Sequence, residues 1–500
     1  MEIKVSVKNN AYLVVDCDDK GILHEIAEFF TFFVPGYKFM PAFRNKMWDG
    51  KVRLLDMRSQ AIYSGLYNYI KEFAHERNYH ITIDDSNSHY YDRPDIYHDD
   101  DVEWVDHLPL SSGGKKITVR DYQKDAVSYA LRHRRGMLIS PTASGKSLII
   151  YLLIRYFLEY NKNKKVLLIV PTTSLVKQMY GDFADYSQFD ETFDESQCHQ
   201  IMAGCEKNNR DTDIYISTWQ SIHKLPSSYF QQFGMVIGDE AHNFKAKSLT
   251  SILTKCTEAN YRFGLTGTLD GTQTHKLQLE GLFGPVKNVT TTKSLIDTGA
   301  LSDVEIDIIL LKHPQELCKS LTKAKYQDEI AHIISYAPRN RFIRNLALDQ
   351  DGNTLVLFQF VEKHGKPLFD MITEKAHKNR KIFFVSGNTD AESREEVRRI
   401  TEGEQGAIIV ASLGTFSTGI NIRNLHNIIF ASPSKSQIRI LQSVGRVLRK
   451  SDDGRSAKIY DIADDLHWKR RKNYTLNHSA ERIKIYAKER FKFKIYEVNI

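Results

Sequence analysis

The chain is expected to be an α/β protein, with two tandem parallel-sheet domains preceded by a small N-terminal α/β domain. Three observations predict this. From residue 115, short apolar runs at 137–140, 166–170, 214–217, 235–238 and 263–265 alternate with amphipathic helical stretches. Apolar strands separated by helices imply a parallel sheet covered on both faces. The same texture restarts at 355–358, 381–385, 407–411, 428–431 and 458–461, so a second such domain follows the first, with 289–311 as the crossing. Residues 1–83 carry a pattern of their own. Ile3, Val5 and Val7 alternate as a strand, 20–33 and 65–77 have helical periodicity, and 80–83 is a strand. Asp49-Gly50 there is a hairpin-turn signal between two short extended runs.

These elements divide the chain into a front domain (1–83), an acidic linker (84–114), a first (115–295) and a second (296–465) sheet domain, and a basic C-terminal helix (466–500) packed on the second. A length of 500 residues suits about three domains at roughly 100–200 residues each. Hydrophobic content of 41% with 26% charged residues excludes a disordered or repetitive chain. Apolar runs such as 148–154 end at a charge, Arg155, well short of the roughly 20 residues a bilayer span needs. Residues 1–10 lack the apolar core of a signal peptide. Five scattered cysteines form no CxxC pair, and Cys198 with Cys205 has no second pair to complete a zinc site. A cytoplasmic location is expected, which means host cytoplasm for a phage protein.

The net charge is +7, and it is unevenly spread. Residues 469–500 hold ten basic side chains against three acidic, which accounts for the whole surplus. Residues 84–106 hold nine carboxylates against Arg93, and Pro94, Pro109 and the Ser/Gly cluster at 111–114 mark a boundary. In the tail, Ile483, Tyr486, Ala487 and Phe491 recur at helical spacing, with Arg482, Lys484, Lys488 and Arg490 largely elsewhere. Those cations suit either a solvated helix face or a nucleic-acid contact. In the front domain, Arg44, Lys46, Trp48, Lys51 and Arg53 crowd one turn. Cations follow phosphates and aromatic faces stack on bases, so the mixture suits nucleic acid. The alternative is a hairpin with Trp48 packed on the core.

The apolar run 137–140 leads into Pro141-Thr142-Ala143-Ser144-Gly145-Lys146-Ser147 and then a helix. This is the strand–loop–helix context of a P-loop, whose backbone N–H groups point at phosphate oxygens. Lys146 would reach the β and γ phosphates and the Ser147 hydroxyl would ligate Mg²⁺. The pattern's first glycine is Ser140 here. A second acidic element, Asp239-Glu240-Ala241-His242, ends the run 235–238. An Asp-Glu pair at a strand end is commonly a helix cap. Ligands in open parallel sheets, however, sit beyond the carboxyl ends of strands, where both elements fall. Asp239 can then hold Mg²⁺ and Glu240 can activate the attacking water.

In this order the residues resemble the core of superfamily two helicases, the DEAH-type branch in particular, over 117 to about 450. The resemblance implies two tandem RecA-like domains with ATP and Mg²⁺ as cofactors. Tyr122-Gln123 resembles the glutamine motif that reads adenine, with Arg120 nearby, and the loop from Thr142 to Ser147 would bind the nucleotide. Pro171-Thr172 and Thr218-Trp219-Gln220 resemble segments holding the nucleic-acid backbone, and Thr415 and Gly419 lie in a motif-five-like stretch, contacting nucleic acid and nucleotide respectively. Thr266-Gly267-Thr268, altered in its middle residue, would couple hydrolysis to movement together with His242. Gln442, Arg446 and Arg449 match the Gln-x-x-Gly-Arg-x-x-Arg motif, whose arginines would neutralise the γ-phosphate when the domains close.

Motif order, front domain and length are similar to the UvsW-type recombination helicases of tailed phages. That resemblance implies an ATP-driven DNA motor for Holliday junctions, D-loops and stalled forks in recombination, repair and replication restart, able also to anneal strands. Its partners would be single-stranded and branched duplex DNA, with single-stranded-DNA-binding or recombination proteins, and the motor is expected as a monomer. Three rivals remain at this level: an RNA helicase with the same motor, a restriction-type translocase subunit, and a non-hydrolysing DNA-binding or annealing module.

Overall fold

The computed structural model describes residues 2–83, 99–209, 211–244, 246–269, 273–301, 304–417, 422, 424–433 and 457–500. The chain divides into two compact units, Met1–Ser140 with Gly145–Thr290, and Thr291–Ile500 with Pro141–Ser144.

The front domain carries β1 (Glu2–Val7), β2 (Tyr12–Cys17), β3 (Thr31–Phe33), β4 (Lys51–Arg53), β5 (Ala61–Tyr63) and β6 (His80–Ile83). Four of these make one sheet in the order β5-β2-β1-β6, with β1 antiparallel to β2 and parallel to β6. The period-two alternation in β1 and β2 buries Ile3, Val5, Leu13 and Val15. They pack on Ile22, Leu23 and Ile26 of the helix Lys20–Phe29 and on Ile70 and Phe73 of the helix Tyr67–Glu76. The expected hairpin at Asp49-Gly50 is not formed. Strands β3 and β4 do pair antiparallel, but Phe33 faces Lys51, and residues 34–50 lie between them as a folded lobe. Asp49 serves the return into β4 instead, its Oδ1 accepting from the Lys51 amide at 3.0 Å.

The front domain is welded to the sheet domain that follows it. Leu277, from the helix Gln273–Phe283, is buried in the front-domain core. The Tyr69 hydroxyl donates to Glu280 Oε2 at 2.6 Å, and Arg135 Nη1 donates to Ser64 Oγ at 2.6 Å. Gly65 permits the closest approach, because a Cβ there would lie 2.0 Å from the Glu280 carbonyl oxygen. The later part of the expected linker also belongs to the sheet domain: Val102, Val105 and Leu110 join its core, ahead of the small ribbon β7 (Ser111–Ser112) and β8 (Lys115–Lys116). Residues 84–98 lie outside the described residues.

The first large sheet contains β9 (Arg135–Ile139), β10 (Lys165–Val170), β11 (Cys198–Ile201), β12 (Ile214–Thr218), β13 (Phe233–Asp239), β14 (Tyr261–Thr266) and β15 (Val286–Asn288). Their order is β11-β12-β10-β13-β14-β9-β15, all parallel. Continuous apolar strands such as 166–170 are buried on both faces, as a helix-covered parallel sheet requires.

The second sheet contains β16 (Val304–Lys312), β17 (Thr354–Phe358), β18 (Ile382–Val385), β19 (Ile408–Ser412), β20 (Asn427–Phe430), β21 (Ala457–Asp465) and β22 (Lys492–Asn499). Its order is β18-β19-β17-β20-β21-β16-β22, the first sheet's order with every strand moved on by seven. This repeat corrects the reading of the tail. The helix there spans Tyr474–Lys488, and the chain then returns as β22, parallel to β16 at the sheet edge. Arg482, expected on the polar side, is buried, its Nε donating to both Asp461 oxygens at 3.0 and 2.8 Å. The buried stripe runs through Thr475, Ser479, Arg482, Ile485 and Tyr486, while Ala487 is exposed. A buried carboxylate on β21 recruits the arginine inward, which apolar periodicity alone does not register.

Candidate active site and nucleic-acid contacts

The carboxyl ends of β9, β13 and β14 bring the phosphate loop, the Asp239–His242 segment and Thr266 to one edge of the first sheet. Thr266 O accepts from the Ser140 amide at 2.9 Å, so the loop's first residue is tied to the β14 end. Buried Ser140 takes the place of a glycine without strain, since the positive backbone angles fall later, at Ala143 (φ 66°) and Gly145 (φ 83°). Gly145 is doubly required: a Cβ there would also meet Gln123 Nε2 at 2.4 Å. Lys146 opens the helix Lys146–Tyr160 and its Nζ lies 3.2 Å from the Ser140 carbonyl, poised at the loop. Ser144 Oγ donates to the Pro141 carbonyl at 2.6 Å, bracing the turn that Thr142 and Ala143 complete. Gln123 is buried beside this loop, and its Oε1 accepts from the Arg120 amide at 3.0 Å while the Arg120 guanidinium meets the Tyr122 hydroxyl.

Asp239 is the most perturbed of these groups. Burial, and then the neighbouring Glu240, push its carboxyl pKa up to about 7, with Lys146 pulling the other way. Its Oδ1 is buried with no hydrogen-bond partner among the described residues. A buried carboxyl with an unpartnered oxygen either holds a proton or faces a cation. Its carboxylate and the Ser147 hydroxyl are both hard oxygen donors of the kind Mg²⁺ takes. Glu240 follows with φ 51°, a left-handed conformation that a non-glycine residue keeps only where its surroundings impose it. His242 Nδ1 lies 3.3 Å from Glu240 Oε2 and 2.8 Å from Thr266 Oγ1. The Thr266 hydroxyl in turn donates to the Thr268 carbonyl at 3.0 Å. One imidazole therefore joins the acidic segment to the Thr266–Thr268 segment.

Other expected contacts are more local. Thr172 caps the helix Thr173–Tyr186, its hydroxyl accepting from the Leu175 amide at 3.3 Å beside half-buried Pro171. Thr218 Oγ1 lies 3.0 Å from Ser221 Oγ, Trp219 packs on the core and Gln220 is exposed. Thr415 is buried against Ser412 Oγ at 2.7 Å. Arg44 and Lys46 are exposed on the front-domain lobe, whereas half-buried Trp48 donates its Nε1 hydrogen to the Lys51 carbonyl at 2.9 Å. Gly419, Gln442, Arg446 and Arg449 lie outside the described residues. One residue the sequence reading missed is Tyr186, whose hydroxyl is 2.7 Å from Ser147 Oγ. It stands 39 residues from the serine, and no local pattern marks it.

The same strand ends in the second sheet are filled differently. Asp464 accepts from Arg339 Nε at 2.8 and 3.0 Å and pairs with His313 Nε2 at 3.0 Å, while Arg339 Nη2 donates to the Ala431 carbonyl at 2.8 Å. Burial alone would raise the Asp464 carboxyl, but the Arg339 charge and the hydrogen bonds outweigh it and hold the pKa below its ordinary value.

Comparison with known proteins agrees with this geometry. Residues 2–84 match the N-terminal domain of the DNA helicase UvsW, 116–271 the res subunit of type III restriction enzymes, and 338–451 the helicase conserved C-terminal domain. The chain is 37% identical over 516 residues to the ATP-dependent DNA helicase uvsW of Enterobacteria phage T4, covering 100% of each. It resembles the crystal structure of T4 UvsW at 36% identity and a TM-score of 0.53, again with 100% of both chains covered. A DNA 3'-5' translocase, XPB2 of Sulfurisphaera tokodaii, is 23% identical over 379 residues, 70% of this chain and 82% of that one. A full-length match at this identity, with the phosphate loop and acidic segment at neighbouring strand ends, places the chain in the UvsW family of superfamily two ATP-dependent DNA helicases.

Proposed function

We propose that this ATP-dependent DNA helicase works on branched DNA (Holliday junctions, D-loops and stalled forks), unwinding or migrating branches in recombination, repair and replication restart. The observation that carries the reading is the convergence of Lys146, Asp239, Glu240 and, through His242, Thr266 at neighbouring strand ends. Lys146 binds the β and γ phosphates, and Gln123 with Arg120 borders the adenine. Ser147 and Asp239 would hold Mg²⁺, which when bound neutralises charge on the β and γ phosphate oxygens. Glu240 orients and deprotonates the attacking water, and Arg446 and Arg449 supply positive charge to the transition state. Loss of the γ-phosphate changes the load on Glu240, and the His242 bridge passes that change to Thr266 and Thr268.

Pro171, Thr172, Thr218, Trp219, Gln220 and Thr415 grip DNA chiefly at phosphates, so tracking is indifferent to sequence. Arg44 and Lys46, on the lobe that Trp48 helps to hold, select the branch. No helix among the described residues is long and apolar enough to cross a membrane. A monomeric enzyme in the host cytoplasm, working beside single-stranded-DNA-binding and recombination proteins, completes the proposal.

The test is an ATPase assay with single-stranded DNA, duplex, fork, four-way junction and RNA in parallel at fixed salt. Forks and junctions should stimulate hydrolysis most, and stimulation by RNA alone would overturn the DNA reading. Lys146→Ala should lower stimulated hydrolysis by about 10² to 10³-fold. Unchanged hydrolysis in that variant would remove the phosphate-site assignment.

A further inference from the structure

Large apolar side chains that stay in water mark surfaces with a partner. Of the twelve exposed ones among the described residues, three fall within the lobe between β3 and β4, Phe39 (76% exposed), Met40 (38%) and Met47 (77%), and Phe33 (51%) ends β3 beside them. The lobe is internally stiff. Phe33 stacks on Tyr37 with ring centroids 4.7 Å apart, Tyr37 meets Phe43 edge-on at 4.7 Å, and the Trp48 indole is tied to the Lys51 carbonyl. Phe39 and Met47 are therefore presented by a built scaffold. Lys46, immediately before Met47, takes a left-handed backbone conformation at φ 56°.

The charge around these side chains identifies what they meet. Residues 31–53 carry Lys38, Arg44, Lys46, Lys51 and Arg53 against the single carboxylate of Asp49, which is bound to Arg53. Neither Arg44 nor Lys46 is ion-paired among the described residues, and the Lys51 ammonium lies over the Phe33 ring at 5.1 Å. Exposed apolar side chains on a lobe that also carries the unpaired cations Arg44 and Lys46 are complementary to a partner with anionic edges and flat apolar faces, which describes nucleic acid with unpaired bases. A fully paired duplex shows such faces only where its stack is broken.

We infer that Phe39 and Met47 form a base-stacking platform that takes the terminal or unpaired bases at a DNA branch point, with Arg44 and Lys46 on the adjoining phosphates. The inference rests on the branched-DNA reading above and names the side chains that would read the branch. It also reassigns the aromatic role from Trp48, which is occupied in holding the lobe together.

The test is the double variant Phe39→Ala/Met47→Ala in the full chain, with forked DNA carrying 2-aminopurine next to the branch. The wild type should change the 2-aminopurine fluorescence on binding. The variant should lose that change and bind the fork about tenfold more weakly, with an unaltered slope of affinity against salt because every cation remains. Phe39→Trp, which keeps a stacking face, should retain both properties. A double variant that matches the wild type in fork affinity and fluorescence overturns the platform. So does intact fork binding combined with lost association to a single-stranded-DNA-binding protein, which would make the lobe a protein dock. If the wild type itself binds fork and linear single strands alike, the branched-DNA reading fails. If the wild type prefers forks and the variant keeps that preference, the platform alone fails.

Discussion

At the carboxyl end of β13 in the first sheet, Asp239 is buried with one oxygen unpartnered among the described residues and a pKa raised to about 7. At the end of β21 in the second sheet, Asp464 is equally buried but takes hydrogen bonds from Arg339 and His313, and its pKa is held down. Both sheets have the same strand order, so topology alone does not make a ligand site. It delivers polar chain ends to one edge, and side chains decide whether the carboxylate there stays unpartnered or is paired.

The largest effect that would test this contrast is on turnover. Glu240→Gln keeps the shape of the residue and removes the base. Hydrolysis should fall by about 10² to 10⁴-fold with nucleotide binding retained. Single-turnover hydrolysis alongside fluorescent-nucleotide titration measures both, and normal turnover would mean that the open end of the first sheet does no chemistry.

In the second sheet the same kind of change should act on folding instead. Arg339→Met removes the guanidinium from buried Asp464 and leaves His313 as its remaining side-chain partner, at a cost of about 3–5 kcal/mol. The double variant Arg339→Met/Asp464→Leu, which removes both charges, should recover most of that in urea unfolding. If Arg339→Met unfolds like the wild type yet loses ATPase, the second edge is a working site and the contrast collapses.

A smaller effect follows from His364, whose Nδ1 lies 3.0 Å from Ser432 Oγ beside the same network. Burial, and then Arg339, lower its pKa from 6.5 to about 3. The folded state therefore resists a proton that the unfolded chain accepts. Stability from this group is complete above pH 6.5 and declines steadily on acidification toward pH 3. At pH 5 the loss should be about 2 kcal/mol, at roughly 1.4 kcal/mol per pH unit below the unfolded value. Unfolding of the wild type and of His364→Gln at pH 7 and pH 5 measures it. A variant with the same pH dependence would assign the acid sensitivity elsewhere.

The contrast also explains what could be read from the sequence. The phosphate loop, the acidic segment and five strands of each sheet were legible because their signals are local, whereas β11 and β15 were not named and most of β16 lay in the stretch read as the crossing. Arg482 was misplaced because Asp461, which draws it inward, lies on a different element. Strand β22, with the sequence Lys492-Phe-Lys-Ile-Tyr-Glu-Val-Asn499, is largely exposed and charged, so its pairing with β16 leaves little mark in composition. Asp49-Gly50 reads as a hairpin turn because the Asp-Gly signal for a hairpin is also the signal for a capped return into a strand.

Tyr186 was invisible for the same reason, and it offers the finest test of the open edge. Its hydroxyl lies 2.7 Å from the Ser147 hydroxyl expected to face the cation. The helix that carries it is capped by Thr172, in the segment expected to hold the DNA backbone. One hydrogen bond thus links the phosphate loop to the far end of the helix whose start is expected to contact DNA. Tyr186→Phe removes that bond and keeps the ring, which packs 5.6 Å from Tyr151. A neutral hydrogen bond is worth about 1 kcal/mol, so KM for ATP should rise about fivefold. If the tyrosine only steadies the serine, the rise will be the same with and without DNA. If it carries the DNA signal, the rise will appear mainly in the DNA-stimulated reaction, which places part of the coupling on this hydroxyl as well as on His242.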